Sequence, residues 1–235
     1  LNTLVQLDSG ILGSAEAVAS LSAARKAQLL VLSDTHGHYT VVEAIIREFG
    51  PACDALLFAG DGMWDFVQYL ENAQESDKLT AALPPVVVFV AGNGDGEQYR
   101  VTISGSADSS EPEDVPGYSL SIPSRQIVRA CGYGIFLVHG HRHAVEVSLE
   151  VLVDSAHAMD CDIAVYGHTH IALSEHFSHI LALNPGSPSR PRGHTVPGFA
   201  VLELDSASTT PKAVFYTVHE RQRGGFGFEK NPAFF

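Results

Sequence analysis

The chain has 235 residues, 45% apolar and 17% charged, a balance that suits a globular protein with a sizeable core. Its length fits one α/β domain or a tight two-layer body. With 14 basic against 27 acidic residues the net charge is −13, which excludes a broad surface for a nucleic-acid backbone, since that needs clustered Lys and Arg.

In chain order, Ser14–Gln28 reads as an Ala-rich helix with Ser14 as N-cap and basic Arg25 and Lys26 at its end. Leu29–Leu32 is short, uniformly apolar and followed by Ser-Asp, the pattern of a strand buried on both faces. Val41–Phe49 is an amphipathic helix stopped by Gly50-Pro51. The alternation continues through a strand at Ala55–Ala59, a helix near Trp64–Asn72 and a strand at Val86–Ala91. A Ser-, Asp-, Glu- and Pro-rich stretch, Ser104–Tyr118, reads as a solvated acidic loop. Beyond it lie strands at Ser124–Ala130 and Tyr133–Val138, a helix at His143–Ala158 and a strand at Asp162–Tyr166. The last third is strand-rich: Ile171–Phe177, His179–Leu183, Phe199–Leu204 and Ala213–His219, with a Gly- and Phe-containing surface tail from Arg221. βαβ alternation followed by consecutive strands points to a two-sheet α/β sandwich with outer helices. We expect one domain over 1–235, with an N-terminal helical extension (1–28), an acidic loop insertion (104–120) and a tail (221–235).

The cysteines Cys53, Cys131 and Cys161 are odd in number and show no C-x-x-C pairing, so they read as small packing residues in a reducing compartment. No apolar run approaches the roughly 18 residues needed to span a bilayer. The N-terminus carries no secretory pattern, and the expected location is the cytoplasm.

Five short segments carry the chemistry: Asp34-Thr35-His36, Gly60-Asp61, Gly92-Asn93-Gly94-Asp95, His139-Gly140-His141 and Gly167-His168-Thr169-His170. Each follows an apolar run read as a strand, and open α/β sheets bind ligands at the carboxyl ends of their strands. Two carboxylates, an Asn carbonyl and several imidazoles form a mixed O/N donor set. Such a set suits Mn, Fe, Zn, Ni or Co better than Ca. Two divalent cations against two carboxylates leave a formal local charge of about +2, enough to attract a small phosphorylated substrate to an acidic protein.

In these residues the chain resembles the calcineurin-like metallophosphoesterases, in particular their compact bacterial and archaeal phosphodiesterase branch. Asn184-Pro185-Gly186-Ser187 also matches that branch, and the resemblance covers roughly residues 29–220. It implies a four-layer fold, a two-sheet β-sandwich flanked by helices. It also implies two divalent ions, Mn first among the candidates: Asp34, His36 and His170 on one, Asn93, His139 and His168 on the other, with Asp61 bridging. The implied reaction is in-line attack of metal-bridging hydroxide on a phosphoester, a phosphodiester ahead of a monoester.

One departure stands out. Many members carry His where this chain has Gly94, and its loss removes a general acid typically worth about 10²–10⁴-fold. Esters with good leaving groups are therefore favoured, with His38 and His141 as substitute acids; Asp95 would orient the missing His. No substrate-contacting residue is nominated, although Arg190 and Arg192 lie near enough in sequence to approach a phosphate. His143, His157, His176, His179, His194 and His219 read as structural, and Trp64 and Phe66 as core. A homo-oligomer is allowed. The competing expectation is a protein-interaction scaffold, because a retromer subunit resembles the same branch.

Overall fold

The computed structural model describes residues 2–103, 116–208 and 210–231. A short strand β1 (Leu12–Gly13) precedes helix α1 (Ala15–Ala23), whose N-cap is Ser14, its hydroxyl accepting the Ala17 N–H at 3.1 Å. The helix is shorter than expected. Ala24 is already extended, and β2 (Lys26–Leu32) starts at Lys26 because Lys26, Ala27 and Gln28 pair with Asp205, Leu204 and Glu203. Then follow α2 (Tyr39–Phe49), β3 (Ala55–Phe58), α3 (Met63–Gln74), α4 (Asp77–Ala82) and β4 (Val86–Phe89). A two-stranded ribbon, β5 (Gln98–Thr102) with β6 (Gly117–Ser121), flanks the acidic stretch, whose residues 104–115 lie outside the described chain. The remainder is β7 (Arg125–Ala130), β8 (Tyr133–Val138), α5 (Glu150–Ala158), β9 (Ile163–Val165), β10 (Leu173–Phe177), β11 (Ile180–Asn184), β12 (Gly198–Asp205), β13 (Lys212–Glu220) and β14 (Phe226–Lys230).

Two large sheets organise these elements. One has the order β1-β4-β3-β2-β12-β13-β14, with β2, β3 and β4 parallel; the other has the order β10-β11-β9-β8-β7, with β8, β9 and β11 parallel. The uniformly apolar strands follow from burial on both faces. In β2, Leu29 and Val31 point into the cluster between the sheets, with Leu57, Val88, Leu137 and Val165, while Leu30 and Leu32 point outward under α2 and α3 with Val42, Ile45 and Phe66. A third cluster packs α5 onto the outer face of the five-stranded sheet through Leu152, Ala156, Phe136 and Ala164. The layers are therefore helix, sheet, sheet, helix, and the four-layer sandwich expected from sequence is the fold observed.

Several local expectations are corrected. The helix expected over His143–Ala158 is confined to Glu150–Ala158. Gly140 (φ +111°) and Ala144 (φ +50°) are left-handed, so His141–His143 make a single 3-10 turn and the chain reaches α5 through a loop. The described part of the tail lies mostly at the surface, as expected, but it contains a strand not foreseen: β14 pairs with β13 along Tyr216–Glu220. Its Phe228 ring completes an aromatic cluster: Phe49 lies 4.8 Å from Phe199, 4.7 Å from Tyr216 and 5.4 Å from Phe228. Phe66 is core, but Trp64 is 67% exposed and packs edge-on against Tyr99 at 5.0 Å. The three cysteines are buried and unpaired, as expected. Among the described residues no helix is long and apolar enough to cross a membrane.

Truncating the half-buried Phe228 to Ala should lower stability by roughly 2 kcal/mol, below the value for a fully enclosed ring. A urea unfolding curve checks this, and an unchanged midpoint would show that β14 contributes nothing to the core.

Candidate metal centre

All six parallel strands end at the same rim of the sandwich, and every one delivers a polar side chain there. Asp34 and His36 follow β2, Asp61 follows β3, Asn93 follows β4, His139 follows β8, His168 and His170 follow β9, and Asn184 and Ser187 close β11. Two sets of ligand atoms each lie within 4.8 Å of one another: Asp34 with His36 and His170, and Asp34 with Asp61 and His139. His170 Nε2 is 3.2 Å and His139 Nε2 3.9 Å from Asp34 Oδ1, so one carboxylate oxygen belongs to both sets. Asn93 Oδ1 approaches His139 Nε2 to 3.2 Å. His168 stands beside the second set: its ring centre is 5.2 Å from that of His139, and its Nε2 lies 3.8 Å from Glu146 Oε2. Sequence reading did not single out Glu146, which sits in the irregular loop before α5.

The donor set fits a cation on two observations. Asp34 Oδ1 is fully buried and has no hydrogen-bond partner, an arrangement that is costly for a carboxylate unless a positive charge meets it. Nε2 of His36 and Nε2 of His170 stand 3.0 Å apart. His170 Nδ1 lies 2.6 Å from the Arg190 carbonyl and His139 Nδ1 2.7 Å from the Ala59 carbonyl, so each Nδ1–H is a donor and each Nε2 presents a lone pair. The titrations agree with mutual charge stabilisation. Burial pushes Asp61 up, but His139 and the Gly94 N–H (2.7 Å to Oδ1) outweigh it and hold the carboxyl down at about 2. Burial lowers His139, but hydrogen bonding to Asp61 and the charges of Asp34 and Asp61 leave it raised overall. Burial, opposed by the same two aspartates, leaves His36 lowered.

The loops are held in place by a tight polar frame. Asp34, His36, Asp61, His168 and His170 all occupy left-handed backbone (φ +55°, +47°, +60°, +68° and +58°), a conformation that costs non-glycine residues of order 1–3 kcal/mol each and concentrates at functional sites. A Cβ at Gly92 would collide with the Asp61 carboxylate, and one at Gly167 with Ser33 and Asp34, so both motif glycines are required by close approach. Asp34 Oδ2 accepts from Ser33 Oγ (2.7 Å) and the His168 N–H (3.0 Å). Asp65, unremarked in the sequence although it lies one helical turn after Asp61, accepts from Thr35 Oγ1 (2.5 Å) and the Gly37 N–H (3.1 Å). The Asn184–Ser187 turn braces two loops: Asn184 Nδ2 donates to the Gly167 carbonyl and Thr169 Oγ1, and Ser187 Oγ donates to the Asp34 carbonyl.

The three residues nominated for catalysis are placed differently from one another. Asp95 accepts four backbone N–H groups, from Asp61 (2.6 Å), Gly62 (3.0 Å), Met63 (2.9 Å) and Gly92 (2.9 Å). His38 is exposed, and its Nδ1 lies 3.0 Å from the Thr35 carbonyl at the start of α2. His141 stands over the centre, its ring 5.4 Å from His139 and 6.1 Å from His168. On the far side of His168 a cavity of about 320 Å³ is walled by Val145, Leu149, Tyr166, Ile171 and Leu173, with Glu146 and Arg192 also lining it.

The sequence profile of the calcineurin-like phosphoesterase superfamily domain matches residues 28–207. A probable metallophosphoesterase of Mycoplasma genitalium is 30% identical over 193 residues, covering 80% of this chain and 94% of its own. The Escherichia coli phosphodiesterase YfcE is 26% identical over 182 residues, covering 77% and 90%. Among solved structures, vacuolar protein sorting 29 of Cryptosporidium parvum superposes with a TM-score of 0.59 at 20% identity, over 88% of this chain and 98% of that one.

Replacing Asp95 by Ala strands four N–H groups and should cost about 2–4 kcal/mol. Urea unfolding, with amide exchange at Asp61–Met63, measures it; unchanged protection at those amides would refute the bracing role.

Proposed function

Because the chain belongs to the calcineurin-like phosphoesterase superfamily, we propose that it is a two-metal phosphoesterase acting on phosphodiesters. The observation that carries this reading is the buried Asp34 Oδ1, unpartnered and faced by imidazole lone pairs. Asp34, His36 and His170 would hold one cation and Asn93, His139 and His168 the second, with Asp61 serving both. Asp34 also reaches the second set, so both carboxylates serve as shared anchors. Each set draws on loops from both sheets, which supports taking the whole chain as one domain. Mn is the first candidate metal, with Fe, Ni, Zn and Co compatible with the same donors. Bound divalent cations supply Lewis acidity toward a phosphoryl oxygen and lower the pKa of coordinated water.

The chain's own residues do the rest. Ala59 and Arg190 fix the His139 and His170 tautomers, and Asp95 freezes the Asp61 loop, so neither ligand set has to reorganise when charge develops. His141 is the side chain placed to give a proton to a leaving group. Burial, then the neighbouring His139 and Arg142, lower its pKa, so little of it is protonated at neutral pH. Substrates with stable leaving anions therefore suit this site best. The scaffold alternative gives no reason for an unpartnered buried carboxylate oxygen.

With Mn²⁺ added, the protein should hydrolyse bis-p-nitrophenyl phosphate, and Asp61→Ala should reduce turnover to background. Stoichiometric binding of two metals without turnover would favour the scaffold. A Cβ at Gly94 would stand 3.3 Å from Asp61 Oδ1, a tight contact that a shift of a few tenths of an ångström relieves. Gly94→His should thus raise the rate on alkyl phosphodiesters by roughly 10²-fold, while aryl esters change little. Equal effects on both ester classes would show that leaving-group protonation does not limit the reaction.

A further inference from the structure

A second cavity, of about 340 Å³, is lined by Arg125, His139, His141, Arg142 and His143, with Phe136, Val138 and Met159 also on its walls. Arg125 and Arg142 bring two positive charges to one place in a chain of net charge −13, His141 and His143 add imidazole groups beside them, and no carboxylate lines the cavity among the described residues. Neither guanidinium makes a salt bridge or hydrogen bond to a described residue, although 27 acidic residues are available in the chain. The Nδ1 atoms of His141 and His143 are buried and unpartnered. His143, which sequence reading treated as structural, has its ring held edge-on to Phe136 at 5.8 Å.

We infer that this cavity is an anion subsite, so that the substrate carries a second anionic group, phosphate or carboxylate, beside the phosphoester that is cleaved. The inference rests on the phosphoesterase reading for the identity of the substrate, but not for the binding of the anion. His139 and His141 are common to the metal centre and the cavity, which fixes the geometry of the ligand: one anion at the strand ends, the other a short linker away over Phe136 and Val138. Guanidinium groups suit the second anion because their fork matches two oxygens at once. Arg142 reaches this place because of the left-handed residues Gly140 and Ala144 on either side of its turn. The break they impose keeps His141–His143 out of α5 and turns the 3-10 turn toward the cavity. An uninterrupted helix from His143 would have carried those side chains away.

Two experiments separate this inference from the metal chemistry. In EDTA-treated protein, inorganic phosphate and then acetate are titrated while the Arg125 and Arg142 Nε–H signals are followed by ¹⁵N NMR. Saturable shifts are expected, the Arg142 signal should lose its response in Arg125→Gln and the Arg125 signal in Arg142→Gln, and the stronger of the two anions names the group. Undisturbed arginine signals, or equal shifts elsewhere on the surface, would overturn the subsite whatever the turnover assay gives. In Mn²⁺-loaded protein, KM for 4-carboxyphenyl p-nitrophenyl phosphate should be about tenfold below that for phenyl p-nitrophenyl phosphate, the worth of one charge-assisted hydrogen bond. The double variant Arg125→Gln/Arg142→Gln should erase that difference, and Arg125→Lys/Arg142→Lys should restore part of it. Equal KM values for the two esters in the unaltered protein would refute the substrate assignment, even if the ester bond is cleaved.

Discussion

A carboxylate oxygen and several imidazole nitrogens converge on one point of this protein, and no donor meets the carboxylate oxygen at its centre. Asp34 Oδ1 has no hydrogen-bond partner, and the His36 and His170 Nε2 atoms face each other across 3.0 Å. Such a cluster is tolerable only around positive charge. The rest of the architecture can be read as the means of holding it together. Parallel strands from two sheets end at one rim, glycines let the loops interpenetrate, Asp65 and Asp95 accept the backbone N–H groups that those loops leave over, and Asn184 and Ser187 donate to their carbonyls.

Burial on both faces made much of this legible in advance. Strands such as Leu29–Leu32 and Val86–Phe89 contain no polar interruption, and the first residues that can afford exposure or chemistry mark their ends. The layer order and the convergence of five motif segments followed from that pattern alone. The residue roles came through family resemblance, because spacing in sequence says nothing about which imidazole faces which carboxylate. Elements with half-exposed or mixed faces were not legible. β5 and β6 are partly solvent-facing and separated by the acidic stretch, α4 is six residues long, and β14 is built from Gly and Phe in a segment that resembles a loose end.

Two other departures have a backbone origin. The periodicity of Val145, Leu149, Leu152 and Ala156 suggests a longer helix, but left-handed Ala144 and the turn before it take the chain along another path. Trp64 occupies an ordinary helical position, yet the Asp61–Met63 turn held by Asp95 sets the rotation of α3 so that this ring faces outward onto Tyr99 while Phe66 faces Phe58 and Phe89. In both places the geometry of the polar centre decides where apolar side chains go, rather than the reverse.

The left-handed backbone at Asp34, His36, Asp61, His168 and His170 has an evolutionary consequence. Each of these positions would fold more readily as glycine or asparagine, so natural selection for stability and selection for chemistry pull in opposite directions there. Replacement would relax the backbone at each position, but at Asp34 and Asp61 it would also leave the Ser33 hydroxyl and the His168 and Gly94 N–H groups without their acceptor. The two aspartates are therefore tied to the fold by their own hydrogen bonds, and the strain is released most freely at the three histidines.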